Sequence, residues 1–483
     1  MNLGKFCGSG LLCPSRQAVG YGREIFPDFR NSVKTLAAKA APTGVCAALL
    51  LACAPSAHAL DLVQGYRLAL QNDALYQAAL AANLAGQEVL EQARAQLMPN
   101  LSANGTRTKN WTDSETPGFS GPVSRSYEYM GTNAAISVRQ PLYRKYNFAQ
   151  YKQAQFQVTN ADAVLDKDRQ DLLVRLSGAY FEALLAQEQL ALVLAQKEAY
   201  AGQLAGAQRA LAAGSGTRTD IDDAQARYDL SLADELASRQ NVSYTRHQLQ
   251  VIIDQPAENL ATLDAARLEL LPPVPADVEA WMTRAVENNA ELRAIRANVE
   301  AARQEVEKAR AGHYPTVDVY AQRSKSESDS NYTVNSQYLT TQVGVQFSIP
   351  IWAGGQVDSA VRQALANLEK IKSQYEARQR EVRQQVRKEF QNVTEGVLKV
   401  QALEQATRSA DQSVFSNEKG YQAGTRTLID ILNAQQQRMN VRRDLAVARY
   451  QYVMARIRLQ GMMNALDEEE ISRINGWLSA TAK

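Results

Sequence analysis

Two rhythms of apolar and polar positions run along the chain, and each occurs twice. The first has a helical period, with Leu172, Leu176, Tyr180 and Leu184 four apart and Leu445, Ala448, Tyr452, Ala455 and Leu459 three or four apart. Such spacing lines up one narrow face of a helix. The second alternates residue by residue, in Val317, Val319 and Ala321, in Thr341, Val343, Val345, Phe347 and Ile349, and more briefly in Ile136 and Val138. Period two puts apolar side chains on one side of a strand. Helical stretches over 62–98 and 278–312, rich in Ala, Leu, Gln, Glu and Arg, stop at Pro99 and Pro315, which cannot continue a helix. Extended segments follow, separated by polar loops at 109–128 and 324–336, and close at Pro141 and Pro350. The rest reads as helix on a large scale, over 147–212 and 356–421. At 1.5 Å per residue these are on the order of 100 Å long. Shorter returns over 218–254 and 427–463 follow turns at Gly214-Ser215-Gly216 and Ala423-Gly424.

The two halves repeat. Residues 92–101 correspond to 308–317 at an offset of 216, and Arg139-Gln140-Pro141-Leu142-Tyr143 to Ser348-Ile349-Pro350-Ile351-Trp352 at 209. Gly216-Thr217-Arg218-Thr219-Asp220-Ile221-Asp222 matches Gly424-Thr425-Arg426-Thr427-Leu428-Ile429-Asp430 at 208. Three landmarks in one order indicate a duplicated architecture. The pattern divides the chain at 1–59, 60–98, 99–141, 142–277, 278–314, 315–350, 351–465 and 466–483, the last with no readable role.

Four strands of about 10 to 12 residues are long enough to cross a bilayer when tilted. Four cannot close a barrel around a duct, and an open sheet edge in lipid is prohibitively costly, so other copies of the chain must complete it. Tyr127, Tyr129, Tyr143, Tyr146, Tyr338 and Trp352 bracket the strands, where an aromatic belt would sit. Beyond residue 60 no apolar run reaches the roughly 20 residues of a membrane helix.

The N-terminus reads as an export signal. Lys34 and Lys39 precede the apolar stretch 45–54, and Pro55-Ser56-Ala57-His58-Ala59 offers an A-x-A cleavage site after Ala59. Residues before Val33 resemble no ordinary signal, which points to a translation start at Val33; Cys53 offers an alternative lipidation site. Cys7, Cys13, Cys46 and Cys53 all precede the cut, leaving a mature chain with neither disulfide nor thiol nucleophile. His247 and His313 alone remain, too few for a His-rich metal site.

Removing residues 1–59, with six basic and two acidic residues, leaves 47 basic against 49 acidic residues. That near balance offers no concentrated basic surface for nucleic acid. Asp220, Asp222 and Asp223 cluster, but only Asp220 and Asp223 share a helix face, and no base, nucleophile or oxyanion donor converges on them. The chain therefore reads as no enzyme and calls for no cofactor.

Over residues 60–465 the chain resembles the TolC family of outer-membrane efflux and secretion ducts. The matching pieces are Ala95-Gln96-Leu97-Met98-Pro99-Asn100-Leu101, Pro350-Ile351-Trp352-Ala353-Gly354-Gly355, and the distinctive run from Tyr421 through Gly424-Thr425-Arg426-Thr427-Leu428-Ile429-Asp430 to Ala434. The resemblance implies an all-α periplasmic tunnel joined to a transmembrane β-barrel, completed as a homotrimer with four strands per protomer. It places the turns carrying Gly214, Gly216, Gly424 and Thr425 at the periplasmic entrance, where a periplasmic adaptor and an inner-membrane ABC exporter or proton-driven efflux pump would dock. Tyr421 and Arg426 match the donor side of an entrance latch, and Thr219 and Asp220 the acceptor side. Asp430 matches a constriction carboxylate; the family's second one is Asn433 here, which weakens the expected ring. Arg218 adds charge opposite, as a further latch or a modifier of the field. The bare Gly-Thr-Arg-Thr turn favours type I protein secretion over small-molecule efflux, while a non-conducting envelope tether is the reading from another class.

Overall fold

The computed structural model describes residues 59–479 apart from Ser120. The export signal, the Val33 start and Cys53 lie outside them.

The expected 62–98 helix forms as two pieces, α1 (Leu62–Asn72) and α2 (Ala74–Ala95). Asp73 breaks it, extended at ψ 113° and accepting from the Tyr76 amide at 2.7 Å. Strands β1 (Asn100–Gly118) and β2 (Gly121–Arg144) follow, then α3 (Lys145–Ala212) and α4 (Arg218–Ile253). A short strand β3 (Thr262–Leu263) lies in the linker. The second repeat opens with α5 (Val278–Asn288) and α6 (Ala290–Arg310), broken at Asn289, 216 residues after Asp73 and capping in the same way. Both breaks arise because a short polar side chain offers the next amides a partner that a continuous helix would not. Strands β4 (Thr316–Glu327) and β5 (Gln337–Ser348), helices α7 (Gln356–Gln422) and α8 (Leu428–Met462), and finally α9 (Glu468–Asn475) and β6 (Leu478–Ser479) complete the order. No helix among the described residues is long and apolar enough to cross a membrane.

The four long strands form one antiparallel sheet in the order β1-β2-β4-β5, open at both edges. Its register separates two faces. Leu101, Val138, Ala321 and Val343 lie side by side on one, with Val319 and Val345 on the row below; Ser102, Ser137, Gln322 and Gln342 lie on the other. The expected loop over 109–128 is instead a continuation of the β1–β2 hairpin, paired from Asn110↔Tyr129 to Gly118↔Gly121. Thr and Tyr favour the extended backbone there, and cross-strand pairing holds the hairpin without apolar alternation. Three expected belt residues, Tyr127, Tyr129 and Tyr338, fall on the polar face opposite Thr112, Asn110 and Ser326. Trp111, 69% exposed, occupies the apolar side near the tip instead.

At the foot of the sheet Asp318, 2% exposed, is gripped by two arginines. Arg144 donates from Nε and Nη2 at 2.8 and 2.6 Å, and Arg139 from Nη2 at 2.6 Å. Asn147 and Gln140 donate to the carbonyls of Gln96 and Leu97, fixing the helix-to-strand corner beside them.

The first stripe and the Tyr452, Ala455 and Leu459 part of the second enter one core with Leu62, Tyr66, Phe181 and Ile457, while Leu445 and Ala448 pack with Val400 in a smaller cluster, so the helices pack on one another along both. Two core tyrosines staple the linker. Tyr180 donates toward the carbonyls of Leu60 and Ala261 at 3.0 Å, and Tyr452 accepts from the Leu271 amide at 2.9 Å. The tail, unreadable in the sequence, belongs to this core: β6 pairs with β3, Asn475 bonds both the Leu62 amide and Asp61, and Trp477 is 4% exposed under Arg456. Trp477→Ala is expected to cost about 3–5 kcal/mol, seen as an earlier denaturant midpoint. An unchanged midpoint would show that the tail only rests on the core.

Candidate functional site: the paired helical turns

Each long helix ends in the same device. α3 stops at Ala213, Gly214 turns at φ +74°, and the amides of Ser215 and Gly216 both donate to the Ala210 carbonyl at 3.0 Å. α7 stops at Ala423, Gly424 turns at φ +73°, and the amides of Thr425 and Arg426 reach the Gly420 carbonyl at 2.9 and 3.3 Å. Left-handed backbone of this kind favours glycine and caps the orphan carbonyls of the helix end. The return helices begin alike. Thr217 and Asp220 form a reciprocal capping box, and so do Thr427 and Asp430.

These features put the turns in register at an offset of 210, not 208. The two Gly-Thr-Arg-Thr strings misalign the repeats by two residues. Gly214 is therefore the counterpart of Gly424, Gly216 of Arg426, Asp220 of Asp430, and Asp223 of Asn433. Arg218 stands where the second repeat has Leu428, which is buried.

Asp430 does two things at once. One carboxylate oxygen accepts from the Thr427 amide at 2.9 Å and from its hydroxyl at 2.8 Å. The Thr427 amide and hydroxyl, with the Arg426 charge nearby, hold the carboxyl below the usual carboxylate range. Asp220 accepts from Thr217 in the same way at 3.1 and 2.8 Å. Asn433 accepts from Arg227 at 3.1 Å, and Arg218 pairs with Asp222 at 3.3 Å across an exposed helix turn.

The latch partners are not brought together within the chain. Among the described residues no hydrogen bond or ion pair joins Tyr421 or Arg426 to Thr219 or Asp220. Tyr421 is 36% exposed. The methylenes of Arg426 lie over Gly420, where a Cβ would come within 2.6 Å of its Cγ. Gly420 thus lets the arginine stem fold back while the guanidinium stays on the surface. Gly420 and the contact between Arg227 and Asn433 were not apparent in the sequence, although Asn433 itself was.

An apolar cluster holds the turns beside each other. Leu428, Ile431 and Leu432 of α8 pack on Tyr200, Ala207 and Ala224. Below them Gln196 and Tyr200 both reach the Gln436 carboxamide, at 3.0 and 2.9 Å. The spacing of Leu428, Ile431 and Leu432 was the available signal for this contact. No group of His, Cys, Asp and Glu among the described residues has the arrangement of a metal site.

The family described as Outer membrane efflux protein matches residues 65–254 and 281–465, one stretch in each repeat. The chain belongs to that family. It is 35% identical to the alkaline protease secretion protein AprF of Pseudomonas aeruginosa, over 89% of this chain and 90% of the relative. It is 32% identical to the proteases secretion protein PrtF of Dickeya chrysanthemi, over 88% and 92%. The outer membrane protein VceC of Vibrio cholerae shares the fold, with a TM-score of 0.70, 19% identity, and coverage of 83% of this chain and 96% of VceC. As a family member, the chain is an exit duct of the outer membrane whose helices form its periplasmic extension. The resemblance to the TolC family over residues 60–465 is thereby upheld at the level of family and fold.

Proposed function

We propose that the chain acts as a homotrimer that passes unfolded protein from an inner-membrane ABC exporter and its adaptor to the exterior. The supporting observation for the cargo is similarity, over 89% and 88% of this chain, to two relatives named for protease secretion. The family description names efflux, which makes small-molecule export with a proton-driven pump the second reading.

The open sheet supports the trimer. β1 and β5 each leave one edge unpaired, and lipid does not tolerate such edges. Two copies would give eight strands, a barrel whose bore side chains fill; three give twelve and a wider bore, since barrel diameter grows with strand number. In this arrangement the polar face lines the bore, the apolar face meets lipid, and the paired turns ring the periplasmic mouth, where adaptor and exporter dock. Gly214, Gly216, Gly424 and Thr425 form that docking rim, Tyr421 and Arg426 of one helix pair latch to Thr219 and Asp220 of its neighbour, and Arg218 tempers the field.

Asp220 and Asp430 are equivalent, so three copies present six capping carboxylates near the mouth, with Asn433 and Arg227 replacing a further acidic ring. Cation selectivity of the reconstituted channel is expected to fall in Asp430→Asn, where the amide oxygen can still accept the cap. Thr427→Ala, which loses the cap and keeps the charge, should retain selectivity. The depressed Asp430 pKa keeps the charge present above the ordinary carboxylate value of about 3.9 and loses it only as pH falls below that. Selectivity should accordingly be flat from pH 7 to 5 and decline in stronger acid. Selectivity unaltered by Asp430→Asn, or an oligomer without conductance, would contradict the proposal, the latter in favour of a tether.

A further inference from the structure

The apolar face of the sheet carries a feature that neither export nor the entrance uses. Above the aliphatic rows, toward the hairpin tips, the register sets Arg323 beside Ile136 and Ala103, and on the next row Lys325 beside Ala134 and Gly105. One row further Arg107 lies opposite Thr132, and Lys109 and Trp111 follow on the same face. Ala103, Gly105 and Ala134 have almost no side chain, so they leave a groove of about 380 Å³ flanked by Arg323, Lys325 and Leu339.

The charges around this groove are only partly answered by the chain. Lys109 pairs with Glu128, and Lys325 meets Glu327 only at 3.9 Å with both half-exposed. Arg107 and Arg323 have no carboxylate partner among the described residues. An unpaired guanidinium on a lipid-facing surface needs an anion, and its flexible stem lets it reach toward the interface to find one. Trp111 marks that interface just above. The long helices leave the opposite end of the sheet, so this level belongs to the outer leaflet.

We infer that the groove binds a phosphorylated glycolipid of the outer leaflet, with an acyl chain along Ala103, Gly105 and Ala134 and phosphate held by Arg323 and Lys325, assisted by Arg107. Guanidinium and phosphate form paired, charge-assisted hydrogen bonds. The groove lies on the face of the sheet and not on its edges, so pairing of β1 with a neighbouring copy leaves it open. The inference rests on the outward orientation of the apolar face in the assembled barrel.

The test uses the purified oligomer in phosphatidylcholine nanodiscs, titrated with diphosphorylated lipid A and with the same glycolipid stripped of phosphate, and read by native mass spectrometry. Diphosphorylated lipid A should bind about tenfold or more tightly than the stripped form. Arg323→Gln with Lys325→Gln should remove that preference, and Gly105→Leu, which fills the groove without changing charge, should weaken both lipids. Conductance of each variant should match the parent, which separates loss of the lipid site from failure of the duct reading. Equal binding of both lipids, or parental binding in the double variant or in Gly105→Leu, would overturn the assignment.

Discussion

Tyr421→Phe combined with Arg426→Ser raises the open probability of the reconstituted channel. Both side chains sit on the α7–α8 turn, and among the described residues neither bonds to Thr219 or Asp220; in the proposed trimer a neighbouring helix pair offers them that hydroxyl and carboxylate. Asp220 gives one oxygen to the Thr217 cap, and its other oxygen remains for an incoming donor. An exposed link of this sort is worth about 0.2–1 kcal/mol. Three symmetric copies add up to roughly 0.6–3 kcal/mol, a factor of about three to one hundred and fifty in the balance between closed and open entrance. Single-channel recording at constant pH and salt checks this. High salt should reproduce part of the effect in the parent by screening the Arg426 contact, and little in the double variant. Unchanged conductance from an intact oligomer would remove Tyr421 and Arg426 from the entrance.

Asp318→Ala is expected to destabilise the assembled barrel more than any substitution in the turns. The carboxylate is buried and answers two arginines at the foot of the polar sheet face. Breaking a buried ion pair from one side costs about 3–5 kcal/mol, and less here because Arg139 and Arg144 keep contact with water. Roughly 2–3 kcal/mol per protomer, taken three times around the bore, should lower the temperature at which the oligomer dissociates in detergent gel electrophoresis. Asp318→Asn, which keeps hydrogen-bond acceptance while losing charge, should fall between parent and alanine variant. A dissociation temperature unmoved by Asp318→Ala would show that the cluster plays no part in holding sheet to helix.

Much of the architecture was legible because strong local signals coincided with it. Pro99 and Pro315 end helices wherever they occur, Gly214 and Gly424 adopt the backbone that glycine alone favours, and the four-residue stripes identified both core faces. The breaks at Asp73 and Asn289 were missed because helix-forming neighbours on both sides mask a single capping residue. The long β1–β2 hairpin was missed for a different reason: over 109–128 its strands carry no apolar alternation, and Thr- and Ser-rich sequence reads as loop. The two-residue slip between the turns came from matching letters. Gly216-Thr217-Arg218-Thr219 spells the second-repeat motif, yet the capping boxes Thr217-x-x-Asp220 and Thr427-x-x-Asp430 fix the register that the backbone follows. Those boxes are legible in the sequence and pair Asp220 with Asp430. The Arg227 to Asn433 contact joins residues 206 apart, and nothing local to either position announces it.

Docking of a protein-exporting machine on the paired turns is tested most directly by photocrosslinking groups placed on either side of Gly424 in living cells, followed by mass spectrometry of the captured complex. Capture of an ABC exporter with its adaptor and a polypeptide cargo is the expected result; capture of a proton-driven pump and its adaptor, with no polypeptide in the bore, would contradict it.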